Sequence, residues 1–128
     1  MGVYKREMYQ IIFYHTRNGE SEILDYLHEL KIKAVNSKTA RINRKKILDY
    51  INALSVYGTR IGQPFVRYIG KDLWELRPLR NRIIFFYWRN NSFVLLHYFI
   101  KKTSKTPLKE INQAHSELKD FLERVDSK

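Results

Sequence analysis

The chain has 128 residues and a hydrophobic content of 44%, which is enough for one domain over residues 1–128 that buries a core without covalent staples. It has no cysteine, which excludes disulfides and thiolate metal sites, and it has neither a signal-peptide pattern nor an apolar run of the roughly 20 residues that cross a membrane. We therefore expect a cytoplasmic protein with no membrane partner, and the net charge of +11 predicts a polyanionic partner.

The first half of the chain contains one short apolar run and two helical patterns. Residues 9–14 predict a strand that is buried on both faces or that lies beside a three-stranded meander predicted later in the chain. Apolar residues then recur at helical spacing from Ser21, a suitable N-cap, to about residue 33. A second helical pattern follows residues 34–37 and ends at Gly58.

Basic residues crowd the first half of this second helix. A solvated face opposite the core would explain them, as would a surface that binds RNA or an acidic partner. Cations near the positive end of a helix cost stability, which favours a functional reason. The candidate RNA-binding residues are Lys38, Arg41, Arg44, Lys45 and Lys46.

After a strand over residues 65–69, the segment 73–102 predicts a three-stranded antiparallel meander. A two-residue turn at Asn90 and Asn91 would place Arg89 opposite Ser92 and Arg82 opposite Phe99. A four-residue loop over residues 78–81 would place Arg77 opposite Arg82.

This register sorts the meander into two faces, because side chains two residues apart point the same way. One face is almost wholly apolar and predicts a core covered by helices. Its residues are Trp74, Leu76, Ile83, Phe85, Tyr87, Val94, Leu96, Tyr98 and Ile100. The other face is polar towards one end, where Glu75, Arg77, Arg82, His97 and Lys101 converge, and apolar towards the other, with Leu73, Phe86, Trp88, Phe93 and Leu95.

The last predicted element is a helix with Thr106 as N-cap and Pro107 as its first residue. Its apolar stripe should dock on the sheet or on an adjoining groove; the residues of the stripe are Leu108, Ile111, Ala114, Leu118, Phe121, Leu122 and Val125. The element order predicts an α+β fold, with an antiparallel-dominated sheet, two N-terminal helices and one C-terminal helix.

The polar end of the meander holds the candidate chemistry. Cations grouped there suit a phosphodiester, because Arg binds phosphate oxygens bidentately and stabilises the charge of an in-line displacement. Glu75 has a simpler structural explanation, as a cross-strand partner of Arg77 or Arg82. Because Arg82 opens a strand beside a polar loop, we expect an accessible guanidinium whose loss leaves folding nearly unchanged. No metal motif or nucleotide loop accompanies these residues, so neither a metal nor a cofactor is expected.

The motifs LWELRP, NRIIFFYW and LLHYFIKKTSKTP, followed by a helix that begins KEINQA, resemble the RelE/HigB group of bacterial toxins, in particular its phage-derived HigB-like branch. The resemblance covers residues 65–122 and implies a small RelE-like fold. It also implies a toxin of a type II toxin-antitoxin system, which cuts mRNA on the ribosome without a metal. The 2′-hydroxyl of the RNA attacks the adjacent phosphate in such enzymes.

The resemblance implies catalytic roles for Arg82, Arg77, His97, Lys101 and Lys102, and Glu75 at the polar end of the meander is a further catalytic candidate. Arg82 matches the strand arginine that contacts the scissile phosphate, and Lys101 or Lys102 matches the basic residue after the last strand. Ile111 stands about where RelE has a catalytic tyrosine in its final helix. The acid and base are therefore open, with His97, Glu75 and a lysine of lowered pKa as candidates.

The implied partners are a helix-turn-helix antitoxin of the HigA type, the ribosome and mRNA, with operator DNA reached only through the antitoxin complex. Two other functions fit a basic chain of this kind. One is inhibition of DNA gyrase by binding, as in the ParE arm of the same fold, and the other is a non-catalytic RNA-binding module.

Overall fold

A five-stranded sheet forms the centre of the protein, which is described over residues 8–126 by a computed structural model. The strands are β1 (Gln10–Phe13), β2 (Val66–Gly70), β3 (Leu73–Leu76), β4 (Asn81–Trp88) and β5 (Ser92–Ile100). Their order in the sheet is β1-β5-β4-β3-β2, with β1 parallel to β5 and all other neighbours antiparallel. The predicted α+β class and antiparallel-dominated sheet are confirmed.

Three helices surround this sheet, namely α1 (Glu22–Lys33), α2 (Lys38–Tyr57) and α3 (Leu108–Asp126), and a 3-10 turn (Gly58–Ile61) follows α2. Ser21 caps α1 by accepting the backbone N–H of Leu24, and Ser37 caps α2 in the same way. None of the helices within residues 8–126 is long and apolar enough to cross a membrane.

Helices cover both faces of the sheet, so the protein has two cores. Buried residues of α1 and α2 pack on one face with Leu76, Ile83 and Phe85. Ala114 and Phe121 of α3 pack on the opposite face with Ile84 and Phe86. The prediction that α3 docks on the sheet is confirmed, although Leu108 of its predicted stripe is exposed.

The pairing of β4 with β5 agrees with the prediction at one end and departs from it at the other. Arg82 lies opposite Phe99 as predicted, but Trp88, not Arg89, lies opposite Ser92. The register shifts between Ile84 and Phe85, where β5 contains an extra residue.

The extra residue reverses the faces of the first half of β5. Phe93 and Leu95 lie in the core beside α1 and α2, whereas Val94 and Leu96 face α3. The predicted assignment of these four residues is therefore wrong.

The predicted register between β3 and β4 is confirmed, since Glu75 lies opposite Ile84 and Leu76 opposite Ile83. Continuing it would place Arg77 opposite Arg82, but β3 ends at Leu76. The predicted apolar face is also shorter than expected, because Tyr87 and Ile100 are exposed.

Helix α3 begins one residue later than predicted. The carbonyl oxygen of Pro107 accepts from the backbone N–H groups of Glu110 and Ile111, so Pro107 stands just outside the helix. Thr106 does not serve as the expected cap, because its hydroxyl accepts from the Arg67 guanidinium at 3.2 Å and donates to the Glu75 carboxylate at 2.6 Å.

Candidate functional site

Basic side chains gather at one end of the sheet, where β2 and β4 begin and β3 and β5 end. The loop from β5 to α3 adds further lysines. Two hydrogen bonds join this loop to the β3–β4 loop, one between main-chain groups and one from a side chain to the main chain. The N–H of Lys101 donates to the carbonyl of Arg80, and the Arg80 guanidinium donates back to the carbonyl of Lys101. We call this set the basic end: Arg67, Arg77, Arg80, Arg82, Lys101, Lys102 and Lys105.

Glu75 lies at the centre of the basic end and is only 1% exposed. Its Oε1 is 3.5 Å from Arg67 Nη2, 3.6 Å from Arg77 Nε and 3.9 Å from Arg82 Nε. The predicted pairing of Glu75 with Arg77 or Arg82 is confirmed, and Arg67 is a third partner. Three guanidinium groups around one carboxylate leave two positive charges uncompensated, so this cluster can hold an anion.

Arg82 is buried, contrary to the prediction of an accessible guanidinium. Its side chain is 7% exposed, and Nη1 donates to the carbonyls of Leu79 and Asn81, each at 2.8 Å. Burial and the neighbouring charge of Arg77 lower the pKa of Arg82. The guanidinium holds the loop that leads into β4, and this is why the sequence-based expectation of accessibility is wrong.

Arg77 and Arg67 present the more accessible charges of the cluster, with side chains 19% and 32% exposed. The Nε of Arg77 is buried and makes no hydrogen bond to any residue of the described chain. Arg67 donates to the hydroxyl of Thr106 at 3.2 Å. A shallow pocket of about 280 Å³ lies beside Arg67, lined also by Tyr68, Lys105 and Ile111.

His97 points to the same face of the sheet but belongs to a different cluster. Its Nε2 lies 2.8 Å from Glu110 Oε1, and its Nδ1 lies 3.5 Å from Glu22 Oε2 and 3.9 Å from Glu117 Oε1. Burial, together with the nearby carboxylates of Glu22 and Asp120, raises the pKa of Glu117 to about 7, although the charge of His97 opposes the shift. We call Glu22, His97, Glu110 and Glu117 the histidine–carboxylate cluster.

An open cleft of about 520 Å³ runs along this cluster and is lined by Glu22, His97 and Glu110 together with Lys102 and Lys109. Lys102 is exposed and therefore connects the histidine–carboxylate cluster with the basic end. The structure thus brings Glu75, Arg77 and Arg82 together and sets His97 apart among carboxylates.

Helix α2, which carries the other predicted basic residues, contacts the start of β4 through Asn43. Asn43, between Arg41 and Arg44, accepts a hydrogen bond from Asn81 at 2.9 Å, and Asn81 begins β4 beside Arg82. Lys38, Arg41, Lys45 and Lys46 are exposed, whereas Arg44 is half-buried. Arg41 also donates to the carbonyl of Ala34, and Lys45 pairs with Asp49.

Sequence reasoning missed Arg67, Glu22 and Glu117. Arg67 reaches Glu75 only because β2 and β3 pair with a shifted register, which no local pattern reveals. Glu22 and Glu117 come from helices near opposite ends of the chain, so only the tertiary fold joins them to His97.

No curated protein matches this chain. The model of the family described as phage derived protein Gp49-like matches residues 25–119, a range that runs from α1 into α3. It contains the basic end, the basic residues of α2 and all of the histidine–carboxylate cluster except Glu22. The chain therefore belongs to the phage-derived Gp49-like family, which groups with RelE/HigB-like toxins of toxin-antitoxin systems, and this membership implies a cognate antitoxin.

Proposed function

We propose that this protein is a toxin that cleaves mRNA on the ribosome, as the type II RelE and HigB toxins do. The observation that carries the proposal is the basic end, where three arginines surround one buried carboxylate and further lysines stand beside them. Such a cluster suits a substrate with a dense negative charge at one point, which is a phosphodiester in its transition state.

The reaction uses a nucleophile that the RNA itself carries. The 2′-oxygen attacks the adjacent phosphorus and loses its proton, and the bond to the 5′-oxygen breaks as that oxygen gains a proton. The products are a 2′,3′-cyclic phosphate and a free 5′-hydroxyl. Negative charge builds up on the non-bridging oxygens, so nearby guanidinium groups stabilise the transition state more than the ground state.

We assign this electrostatic role to Arg77 and Arg67, because their side chains are the partly exposed ones around Glu75. Glu75 and Arg82 are positioning residues in this scheme, since both are buried and tied to neighbouring protein atoms. Their part is to hold the two outer arginines in place before RNA binds, which lowers the reorganisation that the reaction requires.

Lys101 and Lys102 complete the proposed site from the loop after β5. Lys102 is exposed and lines the cleft beside His97, so we assign to it the contact with the leaving 5′-oxygen. His97 supports this cleft indirectly, because it is 8% exposed and both of its ring nitrogens face carboxylates. Proton transfer from such a site is weak on free RNA, and the ribosome must then contribute the alignment of the reacting atoms.

Binding to ribosomal RNA is the proposed role of Lys38, Arg41, Arg44, Lys45 and Lys46. Asn43 ties this part of α2 to the start of β4, so RNA could contact both surfaces at once. We further propose a helix-turn-helix antitoxin of the HigA type that covers basic surface and carries the complex to operator DNA.

The test is cleavage of a defined mRNA bound to 70S ribosomes, with Arg77→Ala as the variant and Arg89→Ala as the control. Both substitutions remove one guanidinium, but Arg89 follows the last residue of β4, away from the basic end, and stacks on Trp88. We expect Arg77→Ala to lose about a hundredfold in rate, the effect of removing one preorganised donor. Arg89→Ala should cleave at the wild-type rate.

Equal cleavage rates for Arg77→Ala and the wild type would show that the basic end does not take part in the reaction. Rapid cleavage of free RNA would contradict ribosome dependence. Induction of the protein in cells provides a further check, because early arrest of protein synthesis is expected. A DNA damage response without that arrest would instead indicate action on gyrase.

A further inference from the structure

The histidine–carboxylate cluster is unusual for a chain with a net charge of +11. Glu22, Glu110 and Glu117 surround a single imidazole, and within residues 8–126 none of the three forms an ion pair with a lysine or arginine. Three carboxylates gathered around one imidazole, with no lysine or arginine paired to them, repel one another, so a bound cation would stabilise the cluster.

Two atoms that face each other in this cluster have no hydrogen-bond partner among the described residues. They are His97 Nδ1 and Glu117 Oε1, and both are buried. The side chains are 8% and 10% exposed, so water does not cover them freely. A buried polar atom without a partner is costly, which indicates that a further group belongs between them.

A carboxylate oxygen can only accept a hydrogen, so the contact with Glu110 assigns the hydrogen to Nε2, and in a neutral imidazole Nδ1 then carries the lone pair. Glu110 accepts a hydrogen from Nε2 at 2.8 Å, and a carboxylate on one ring nitrogen leaves the other nitrogen free to bind a cation. This is the arrangement by which outer carboxylates orient metal-binding histidines and raise their basicity.

The distances leave room for an ion rather than for a proton. His97 Nδ1 lies 3.5 Å from Glu22 Oε2 and 3.9 Å from Glu117 Oε1, both beyond the usual hydrogen-bond length. Donor atoms around a tetrahedral metal with bonds of about 2.1 Å are about 3.4 Å apart. The three donor atoms all lie within 4.8 Å of one another.

We infer that Glu22, His97 and Glu117 form a binding site for a divalent transition-metal ion. One imidazole nitrogen with two carboxylate oxygens is a donor set that suits Zn²⁺ or Mn²⁺, and Zn²⁺ has the higher general affinity. Three protein ligands leave a fourth position, which opens into the cleft because Glu22 is 51% exposed on its side chain. The ion would join the first turn of α1, strand β5 and helix α3.

A metal ion can bind at this site whether or not the protein cleaves RNA, so the experiment measures the binding of Zn²⁺ itself. The full-length wild-type chain is freed of metal with a chelator and titrated with ZnCl₂ in a calorimeter. We expect one ion to bind per chain and the melting temperature to rise with Zn²⁺ concentration. Co²⁺ should give the absorption bands of a tetrahedral site.

Three variants locate the ion, and one serves as a matched control. His97→Gln should abolish binding, and Glu22→Gln should weaken it at least tenfold while the protein still folds, because Glu22 is half-exposed. Glu110→Gln can still accept the hydrogen bond from His97 and should weaken binding by about 10- to 100-fold. His28→Gln removes an exposed histidine of α1 and should leave the affinity unchanged.

Lack of saturable Zn²⁺ binding to the wild type would overturn the inference. It would mean that protonation of the histidine and carboxylate groups, without a metal ion, balances their charges. Binding that persists unchanged in Glu22→Gln and His97→Gln would overturn it as well, because the ion would then lie elsewhere. Since Glu22→Gln keeps the buried residues intact, misfolding of His97→Gln does not remove the test.

Discussion

Replacement of Arg82 by Ala should destabilise the protein, and the structure sets the size of the effect. The substitution removes two charge-assisted hydrogen bonds, to the carbonyls of Leu79 and Asn81, and one of the three cations around Glu75. Breaking a buried charged interaction by removing one partner costs about 3 to 5 kcal/mol. We take about 3 kcal/mol, because Arg67 and Arg77 still face the carboxylate.

A loss of that size should lower the melting temperature by roughly 10 °C in a chain of this length. The assay is urea and thermal unfolding followed by circular dichroism, with Arg89→Ala as the control of equal charge change. Arg89 is exposed and stacks on Trp88, so its loss should cost less than about 1 kcal/mol.

If Arg82→Ala melts within about 2 °C of the wild type, the guanidinium is not a structural anchor and the burial argument fails. The expected result also bears on function. Loss of toxicity in Arg82→Ala would not by itself identify a catalytic group, because an unfolded toxin is inactive too. Arg77 is therefore the better probe of the reaction.

Three further predictions follow from buried or constrained residues. Glu75→Gln keeps an acceptor for Thr106 but leaves three guanidinium groups without their carboxylate. Urea unfolding should show that the free energy of unfolding falls by about 3 kcal/mol. An unchanged midpoint of the urea transition would contradict this prediction. Gly58→Ala places a Cβ 2.8 Å from the Tyr9 ring at a φ of 65°, so the free energy of unfolding should fall by more than about 1 kcal/mol. A variant as stable as the wild type would show that the Tyr9 ring moves aside without cost. Burial and the hydrogen bond to Asp120 raise the pKa of Tyr14 to about 12 from 10.0. The stability that this tyrosine contributes is therefore complete below pH 10 and is lost as pH rises towards 12. The difference in unfolding free energy between wild type and Tyr14→Phe should shrink over that range, whereas a constant difference would refute the assignment.

Local signals in the sequence predicted the helices well. Ser21 and Gly58 mark helix ends in the structure as predicted from the sequence, because capping depends on residues within one turn. The β3–β4 register was also predictable, since it follows from the length of the short loop between the two strands.

The register of β5 was not predictable for a physical reason. Residues 93–96 are apolar without alternation, since helices cover both faces of the sheet and each face needs an apolar side chain. A slip of one residue therefore leaves the pattern unchanged, and the bulge near Leu96 has no signature in the sequence.

The candidate site was predictable only in part, for a related reason. Glu75, Arg77 and Arg82 are close in sequence and were grouped correctly through one short loop. Glu22 and Glu117 are 95 positions apart in the chain, and they reach His97 only after three separate elements have packed.

The parallel pairing of β1 with β5 has a consequence for the order in which the chain folds. Gln10 lies opposite Ser92, so the first strand has no neighbour in the sheet until a strand made 82 residues later is available. Contacts of such long sequence separation form slowly, because the loop between them must close first. During synthesis β1 therefore stays without a partner strand while α1 and α2 form from local contacts, and the sheet is completed only after β5 has emerged.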